Sequence, residues 1–254
     1  VNHVIKEMIL VEKKIIFIHI PKNAGTSMEH VLAEHPSWGQ QFSEWFANNK
    51  YSYVNSTLLN WYFNYPIIRR FIIILYSILS LFQPKYKFFV WHNKMSHTPM
   101  HMQRKNGIDS SWTSFAIVRN PYTHMISVYN HFKPKITFEE MCEDAEYQLS
   151  RTNNYPINIF YYPQTYFVCE PNSKQIIVDH ILYYENLNAE WNKLNNRYNI
   201  TNKTLVQMNA SKKSKFKLTP KSIEIIQKIY KSDFELFNYS MNYEDSSVQN
   251  IYTN

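Results

Sequence analysis

The chain has 254 residues, of which 44% are hydrophobic and 17% aromatic, and it carries a formal net charge of +7. Its length fits one medium-sized domain, which we expect to span residues 1–254, and the charge favours a polyanionic partner without identifying it. Because Cys142 and Cys169 are the only cysteines, a disulfide framework and a zinc site built from cysteines are excluded.

The first predicted element is a buried parallel strand. Ile15 to Ile20 form an apolar run that is interrupted only by His19, as expected for a strand covered on both faces. A loop follows, and Thr26 with Glu29 three residues later predicts a capped helix start. Gly25 is one of only three glycines in the chain. We therefore expect it where the backbone needs a left-handed φ or a close approach.

Residues 36–90 are rich in Trp, Tyr and Asn and show no clear periodicity, which predicts a helical insertion. Within it, the run at 71–82 is the most apolar stretch of the chain. It is shorter than the roughly 20 residues needed to span a bilayer. We expect a buried helix here, and basic residues on both sides leave peripheral membrane contact as the alternative.

The second half of the chain alternates predicted strands and helices. Thr113 to Val118 is a second buried strand, and Pro121 suits the first turn of a helix that continues to Phe132. Further helices are predicted at 137–149, 187–198 and 222–230, and further strands at 176–178 and 181–184. This alternation predicts an α/β fold, in which ligands bind beyond the carboxyl ends of the strands.

Each of the two strand-to-helix junctions carries groups that favour anions. The first reads Pro21-Lys22-Asn23-Ala24-Gly25-Thr26-Ser27. It combines a helix N-terminus, a lysine and two hydroxyls, although an ordinary capped turn is the alternative. It is not a Walker A loop, since the lysine precedes the glycine. The second places Arg119 at a strand end and Ser127 in the next helix. Together they predict a ligand with two separated phosphate groups.

These two junctions resemble the nucleotide-binding segments of PAPS-dependent sulfotransferases (PAPS is 3′-phosphoadenosine 5′-phosphosulfate), especially the carbohydrate and heparan-sulfate-type branch. The first is similar to that family's 5′-phosphosulfate loop, I-P-K-x-x-G-T-S. The second is similar to its 3′-phosphate segment, V-R-x-P-x-x-R-x-x-S. Weaker matches follow at 184–187, 209–211 and 230–239. The resemblance covers about residues 14–240 and implies a P-loop-like three-layer sandwich with a central parallel sheet.

The resemblance also implies roles for individual residues. The 5′-phosphosulfate would be bound by Lys22, Asn23, Ala24, Gly25, Thr26 and Ser27, and the 3′-phosphate by Arg119 and Ser127. A late loop with Asn209, Ser211 and Lys212 would close over the nucleotide. Lys22 would neutralise the bridging oxygen as the S–O bond breaks. His124 stands where many relatives have arginine, which removes a second guanidinium or makes that contact pH-dependent.

The acceptor hydroxyl needs a general base, since an alcohol is a poor nucleophile. His97 fits the spacing of the family's histidine segment best, His92 is the alternative, and Glu29 and Glu44 are more distant candidates. His97 and His101 are also four residues apart, as two metal ligands on a helix would be. Pro99 between them argues against that helix, and we expect no metal.

The sequence therefore predicts an enzyme that moves a sulfuryl group from PAPS to a sugar hydroxyl of a glycan or polysaccharide and releases PAP (3′-phosphoadenosine 5′-phosphate). One alternative is a P-loop-type kinase or nucleotide hydrolase. Another is a basic protein that binds nucleic acid or a membrane surface through 201–232, which holds eight lysines and one glutamate. We expect no nucleic-acid partner and a cytoplasmic enzyme, or a Golgi-lumenal one if an N-terminal anchor precedes the chain.

Overall fold

The structure is a computed structural model, and it describes residues 9–10, 13–32, 97–105, 108–132, 134–151, 158–205 and 218–244. Several predictions fall outside these residues: the insertion at 36–90 with its apolar run at 71–82, the candidate bases His92 and Glu44, and the late loop with Asn209, Ser211 and Lys212. The two junctions predicted to bind anions and His97 lie within the described residues.

The described strands form one sheet. They are β1 (Ile9–Leu10), β2 (Ile15–Ile18), β3 (Thr113–Val118) and β4 (His180–Tyr183), in the spatial order β1-β2-β3-β4. β1 pairs antiparallel with β2, whereas β2, β3 and β4 are parallel to one another. The carboxyl ends of the three parallel strands therefore meet at one edge of the sheet.

The described helices alternate with these strands. They are α1 (Gly25–Leu32), α2 (Met100–Lys105), α3 (Pro121–Phe132), α4 (Phe138–Ser150), α5 (Thr165–Val168), α6 (Leu187–Tyr198), α7 (Pro220–Ile229) and α8 (Lys231–Leu236). Two 3-10 turns lie at Ile159–Tyr161 and Tyr184–Asn186. Parallel strands joined through helices confirm the α/β class, while the likeness to a P-loop sandwich stays a prediction.

The two central strands, β2 and β3, are buried on both faces. Successive side chains of a strand point to opposite faces, so each strand contributes to two layers. On one face, Phe17 and Phe115 pack with α1 and with Trp191 of α6. On the other, Ile16 and Val118 pack with α2 and α5. A third cluster joins α3, α4, α7 and α8. Together these layers fix the carboxyl edge of the sheet, where both junctions lie.

Most predicted elements are present, with three differences. α1 begins at Gly25, so Thr26 lies inside its first turn and is not the N-cap. β2 ends at Ile18, two residues before the end of the apolar run. The predicted strand at 176–178 forms only one bridge, between Ile176 and Cys169. The capping box that sequence placed before α1 occurs instead before α4, where Thr137 and Glu140 cap each other.

The basic segment 201–232 is partly compensated by acidic side chains. Two lysines of α7 pair with glutamates of α4: Lys221 with Glu143, and Lys228 with Glu146. On α8, Nζ of Lys231 lies 3.8 Å from a carboxylate oxygen of Glu235. These pairs are exposed and contribute little to stability. They do lower the positive charge available to a nucleic acid or an anionic membrane, which weakens that alternative for the described part of the segment. In the part of the chain that the structure describes, no helix has the length and hydrophobicity of a membrane span.

Candidate functional site

The loop that follows β2 holds two residues in the left-handed region of backbone conformation. Lys22 has φ 65° and Ala24 has φ 59°, values that cost a residue with a Cβ about 1–2 kcal/mol. Between them, Asn23 turns its side chain into the protein, where Nδ2 donates to the carbonyl of Ile117 at 2.9 Å. Its N–H also closes a turn onto the carbonyl of Ile20. These bonds hold the strained loop in one conformation.

Gly25 begins α1 at the end of this loop, and its lack of a side chain is a packing requirement. A Cβ built at Gly25 would overlap the imidazole of His19. The left-handed φ values of this loop belong to Lys22 and Ala24 and not to Gly25. Close approach of His19, and not a left-handed φ, is therefore the reason for glycine at this position. The first N–H groups of a helix have no acceptor within it and favour negative charge. The start of α1 is therefore suited to an anion.

Arg119, which follows β3, reaches across to the loop after β2. Its Nη1 donates to the carbonyl of Lys22 at 3.3 Å, and its Nε donates to Oγ1 of Thr123 at 2.9 Å. The guanidinium lies 4.1 Å from the ring centre of Tyr184, which follows β4. Residues from the ends of all three parallel strands thus meet at this one guanidinium group.

Two cations, Lys22 and Arg119, occupy this edge of the sheet. Burial, together with the nearby charge of Arg119, lowers the pKa of Lys22 to about 8. Arg119 is itself only 9% exposed. Among the described residues, neither of the two forms an ion pair with a carboxylate. A partly buried pair of positive charges of this kind favours a bound anion.

One stripe of α3 faces these cations and carries Thr123, Ser127 and His131 at four-residue spacing. Ser127 is buried, and its role at a 3′-phosphate stays a prediction. Burial and the charge of Lys22 lower the pKa of His131 to about 4, and its ring stacks on Phe160 at 5.6 Å. His131 is therefore neutral at physiological pH. No sequence pattern singled out His131.

His124 lies on the same helix and is buried. It stands where the family pattern has an arginine, but it does not supply a positive charge there. Its Nε2 lies 3.4 Å from the carbonyl of Phe160, to which it donates. Burial first, and then Arg119, lowers the pKa of His124 to about 3, and Lys22 adds to this shift. The imidazole is thus neutral, and protonation lies well below physiological pH. The second guanidinium of the family pattern has no cationic substitute at this position.

His97, the first-choice base, lies beside the loop after β2. Its Nδ1 is 3.1 Å from the carbonyl of His19, and the two rings meet edge to face with centres 4.4 Å apart. Because a carbonyl oxygen only accepts, Nδ1 carries the proton and the lone pair of the neutral ring is on Nε2. This is the tautomer that a base acting through Nε2 requires.

His97 and His101 do not share a helical face, because α2 begins at Met100 and His97 precedes it. Within the described ranges, no three His, Cys, Asp or Glu side chains are grouped as a metal site would need. The helical pairing that the four-residue spacing suggested is therefore not formed, and the absence of a metal stays a prediction.

Comparison with known proteins identifies the family. A model of the sulfotransferase family matches residues 8–240, which is most of the chain and includes both junctions. The chain belongs to the sulfotransferase family. Comparisons with curated proteins and with solved structures found no match. Sulfuryl transfer, and with it a transferase activity, is the chemistry of this family.

Within this sulfotransferase, the structure brings together three of the residues that sequence singled out. Lys22 and Arg119 touch, and His97 lies beside the same loop. Thr26 and Ser27 lie in the first turn of α1, with Ser27 buried. The assignment of these residues to particular groups of a donor stays a prediction.

Sequence reasoning missed several residues that shape the sulfotransferase site: His19, Thr123, His131, Phe160 and Gln164. His19 had a signal, since it is the polar interruption of an apolar strand run. Tyr184 and Asp233 belonged to the weaker tail matches, and the structure places both next to the junctions. Gln164 lies in an irregular segment before α5, where no periodicity marks a residue as important.

Proposed function

We propose that this sulfotransferase transfers a sulfuryl group from PAPS to a sugar hydroxyl on a glycan or polysaccharide. The contact of Lys22 with Arg119 carries the proposal. These two cations lie at the carboxyl ends of adjacent parallel strands, one beside the start of α1 and the other at the start of α3. Among the residues that the structure describes, neither is in an ion pair with a carboxylate. A donor with a 5′-phosphosulfate and a separate 3′-phosphate suits two such anion sites.

In this proposal Lys22 stabilises the leaving group electrostatically. As the acceptor oxygen bonds to sulfur and the S–O bond to the 5′-phosphate breaks, negative charge grows on the oxygen that leaves with PAP. The ammonium of Lys22 stabilises that charge more in the transition state than in the ground state. With a pKa of about 8, Lys22 is mostly charged at neutral pH. The strained, hydrogen-bonded loop holds it in place before the donor arrives.

His97 is the base of this proposal. Its Nε2 takes the proton of the acceptor hydroxyl as that oxygen attacks sulfur, and Nδ1–H remains bonded to the carbonyl of His19. That bond fixes the ring and stabilises the imidazolium that forms. Arg119 and Ser127 hold the 3′-phosphate, while His124 packs as a neutral residue. The reaction as written needs no metal ion.

Calorimetry with PAP in the absence of Mg²⁺ tests the donor assignment. We expect the wild-type protein to bind PAP, and we expect Lys22→Ala and Arg119→Ala each to weaken binding at least about tenfold. Lys193→Ala is the matched control, because Lys193 is an exposed lysine on α6. Unchanged PAP affinity in both site variants would refute the proposal, and binding that requires Mg²⁺ would favour a kinase or hydrolase.

The acceptor class needs its own experiment. Radiolabelled PAPS is incubated with a panel of glycans, small phenols and proteins, and label transfer is measured for wild type and Lys22→Ala. We expect transfer to glycans that depends on Lys22. Transfer confined to phenols or to protein would refute the sugar acceptor and leave the donor assignment intact.

A further inference from the structure

Gln164 is a buried amide that joins the two anion-binding junctions. It is 1% exposed. Its Oε1 accepts from Nδ2 of Asn23 at 2.6 Å and from the N–H of Arg119 at 2.8 Å. Its Nε2 donates to the carbonyl of Arg119 at 2.7 Å. One side chain thus binds the loop after β2 and both backbone polar groups of the residue that follows β3.

Gln164 is in turn held from the C-terminal part of the fold. Asp233 of α8, which is 0% exposed, accepts from the N–H of Gln164 at 2.8 Å and from the N–H of Thr165 at 3.0 Å. Its Oδ2 also lies 3.4 Å from Nε2 of Gln164. Buried hydrogen-bond networks of this kind fix one arrangement of the groups they join, because each unmade bond leaves a desolvated polar atom.

We propose that Gln164, held by Asp233, is a positioning residue that sets the separation of the two anion sites. It acts through Asn23, which lies next to Lys22, and through the backbone of Arg119. This inference rests on the proposed function, because it concerns a ligand with two phosphate groups. A ligand that fills both sites depends on their separation, whereas a ligand with one phosphate does not.

Binding of three nucleotides distinguishes a positioning role of Gln164 from a simple loss of folded protein. The dissociation constants of PAP, 5′-AMP and 3′-AMP are measured for wild type and Gln164→Leu. We expect the preference for PAP over either monophosphate to fall about tenfold or more in the variant, with monophosphate affinities kept within about twofold. Loss of folded protein would instead weaken all three nucleotides by the same factor.

Gln227→Leu is the matched control. Gln227 is a partly buried glutamine, and its Nε2 donates to the hydroxyl of Tyr122 at 2.9 Å and to the carbonyl of Met241 at 2.8 Å. It joins α7 to α3, and among the described residues it has no hydrogen bond to Lys22, Asn23 or Arg119. We expect this variant to keep the wild-type preference for PAP even if it unfolds more readily.

Failure of the positioning role and failure of the proposed function give different results in this experiment. If wild type itself shows no preference for PAP over 5′-AMP, the proposed function fails. If wild type prefers PAP and Gln164→Leu keeps that preference, the positioning role is refuted and the proposed function stands. Equal weakening of all three nucleotides means that the leucine variant is not folded, and a second substitution then decides.

Gln164→Glu provides a second test if the leucine variant does not fold. The new carboxylate places an oxygen against the carbonyl of Arg119 and the carboxylate of Asp233, so we expect the preference for PAP to be lost at about pH 8. Near about pH 5 the introduced carboxyl becomes protonated, donates to Arg119 and restores part of the preference relative to wild type at the same pH. If Gln164→Glu prefers PAP as strongly as wild type does at about pH 8, the proposal is refuted.

Discussion

The imidazole of His19 fills the space in which a side chain of Gly25 would lie. A residue at the end of one strand therefore dictates the residue at the start of the following helix. The same imidazole meets the ring of His97 edge to face. A change at Gly25 is thus transmitted to the proposed base through His19.

Substitution Gly25→Ala is expected to destabilise the protein by about 1–3 kcal/mol, because the new methyl group must displace His19. The unfolding free energy is measured by urea denaturation. The double substitution Gly25→Ala with His19→Ala removes the overlapping ring and should recover most of this loss relative to His19→Ala alone. An undiminished stability in Gly25→Ala would show that the two residues are not in conflict.

Binding of PAP is expected to take up a proton at about pH 8–9. The pKa of Lys22 is about 8 in the free protein because of burial and Arg119. A bound anion favours the ammonium and raises that pKa. Above this pH, affinity should therefore fall as pH rises, by up to about tenfold per unit.

Calorimetry in two buffers with different ionisation enthalpies measures this proton uptake. Lys22→Arg is the matched control, since a guanidinium stays charged throughout this range. Uptake that persists unchanged in Lys22→Arg would assign the proton to another group.

Asp233 is expected to make stability fall as pH rises. Burial raises the pKa of Asp233 from 3.8 to about 6, even though backbone N–H groups favour its charged form. Between these values the folded protein binds the proton more tightly than the unfolded chain, so protonation stabilises the fold at low pH. From about pH 4 to about pH 7, wild type should lose about 2 kcal/mol relative to Asp233→Asn.

Urea denaturation at several pH values gives this difference. Asp109→Asn is a control of opposite sign, because bonds from Ser111 lower the pKa of the exposed Asp109. The stability that Asp109 contributes is fully present above the pKa it has in the unfolded chain. This stability is lost as the pH falls through the lower pKa of the folded state. A pH-independent difference between wild type and Asp233→Asn would show that the buried carboxyl has an ordinary pKa.

Substitution His97→Ala is expected to lower kcat for sulfuryl transfer by about 10²–10⁴-fold, as loss of a general base does. PAP affinity should stay within about threefold of wild type, since His97 acts on the acceptor. Turnover is measured with labelled PAPS, and affinity by calorimetry. His180→Ala is the control, because His180 begins β4 at the opposite edge of the sheet and bonds to the hydroxyl of Tyr198. Retained turnover in His97→Ala would transfer the role to His92 or another group.

The sequence predicted those elements whose ends are marked by local chemistry. β3 and α6 have the predicted bounds, since apolar runs and periodicity define them. The start of α1 was predicted two residues late, because Thr26 and Glu29 have the pattern of a capping box. The imidazole of His19 requires glycine one position before Thr26. That requirement comes from packing between residues that are not neighbours in sequence.

The candidate site was predictable only in part for a similar reason. Lys22 and Arg119 follow apolar runs, and parallel strands place such positions at one edge. The neutral state of His124 depends on burial and on two cations from other segments. The role of Gln164 depends on bonds to Asn23, Arg119 and Asp233, and no local pattern reports them.

The network around Gln164 has a consequence for biosynthesis. Its bonds connect residues 141 positions apart, between Asn23 and Gln164, and 69 positions apart, between Gln164 and Asp233. A nascent chain that has not yet emerged as far as α8 holds Lys22 and Arg119 but lacks the carboxylate that anchors the amide between them. Contacts of such long range form late and slow the folding of a domain. Competence to bind the donor nucleotide should therefore arise near the end of translation, and premature termination before Asp233 should leave a chain that cannot acquire it.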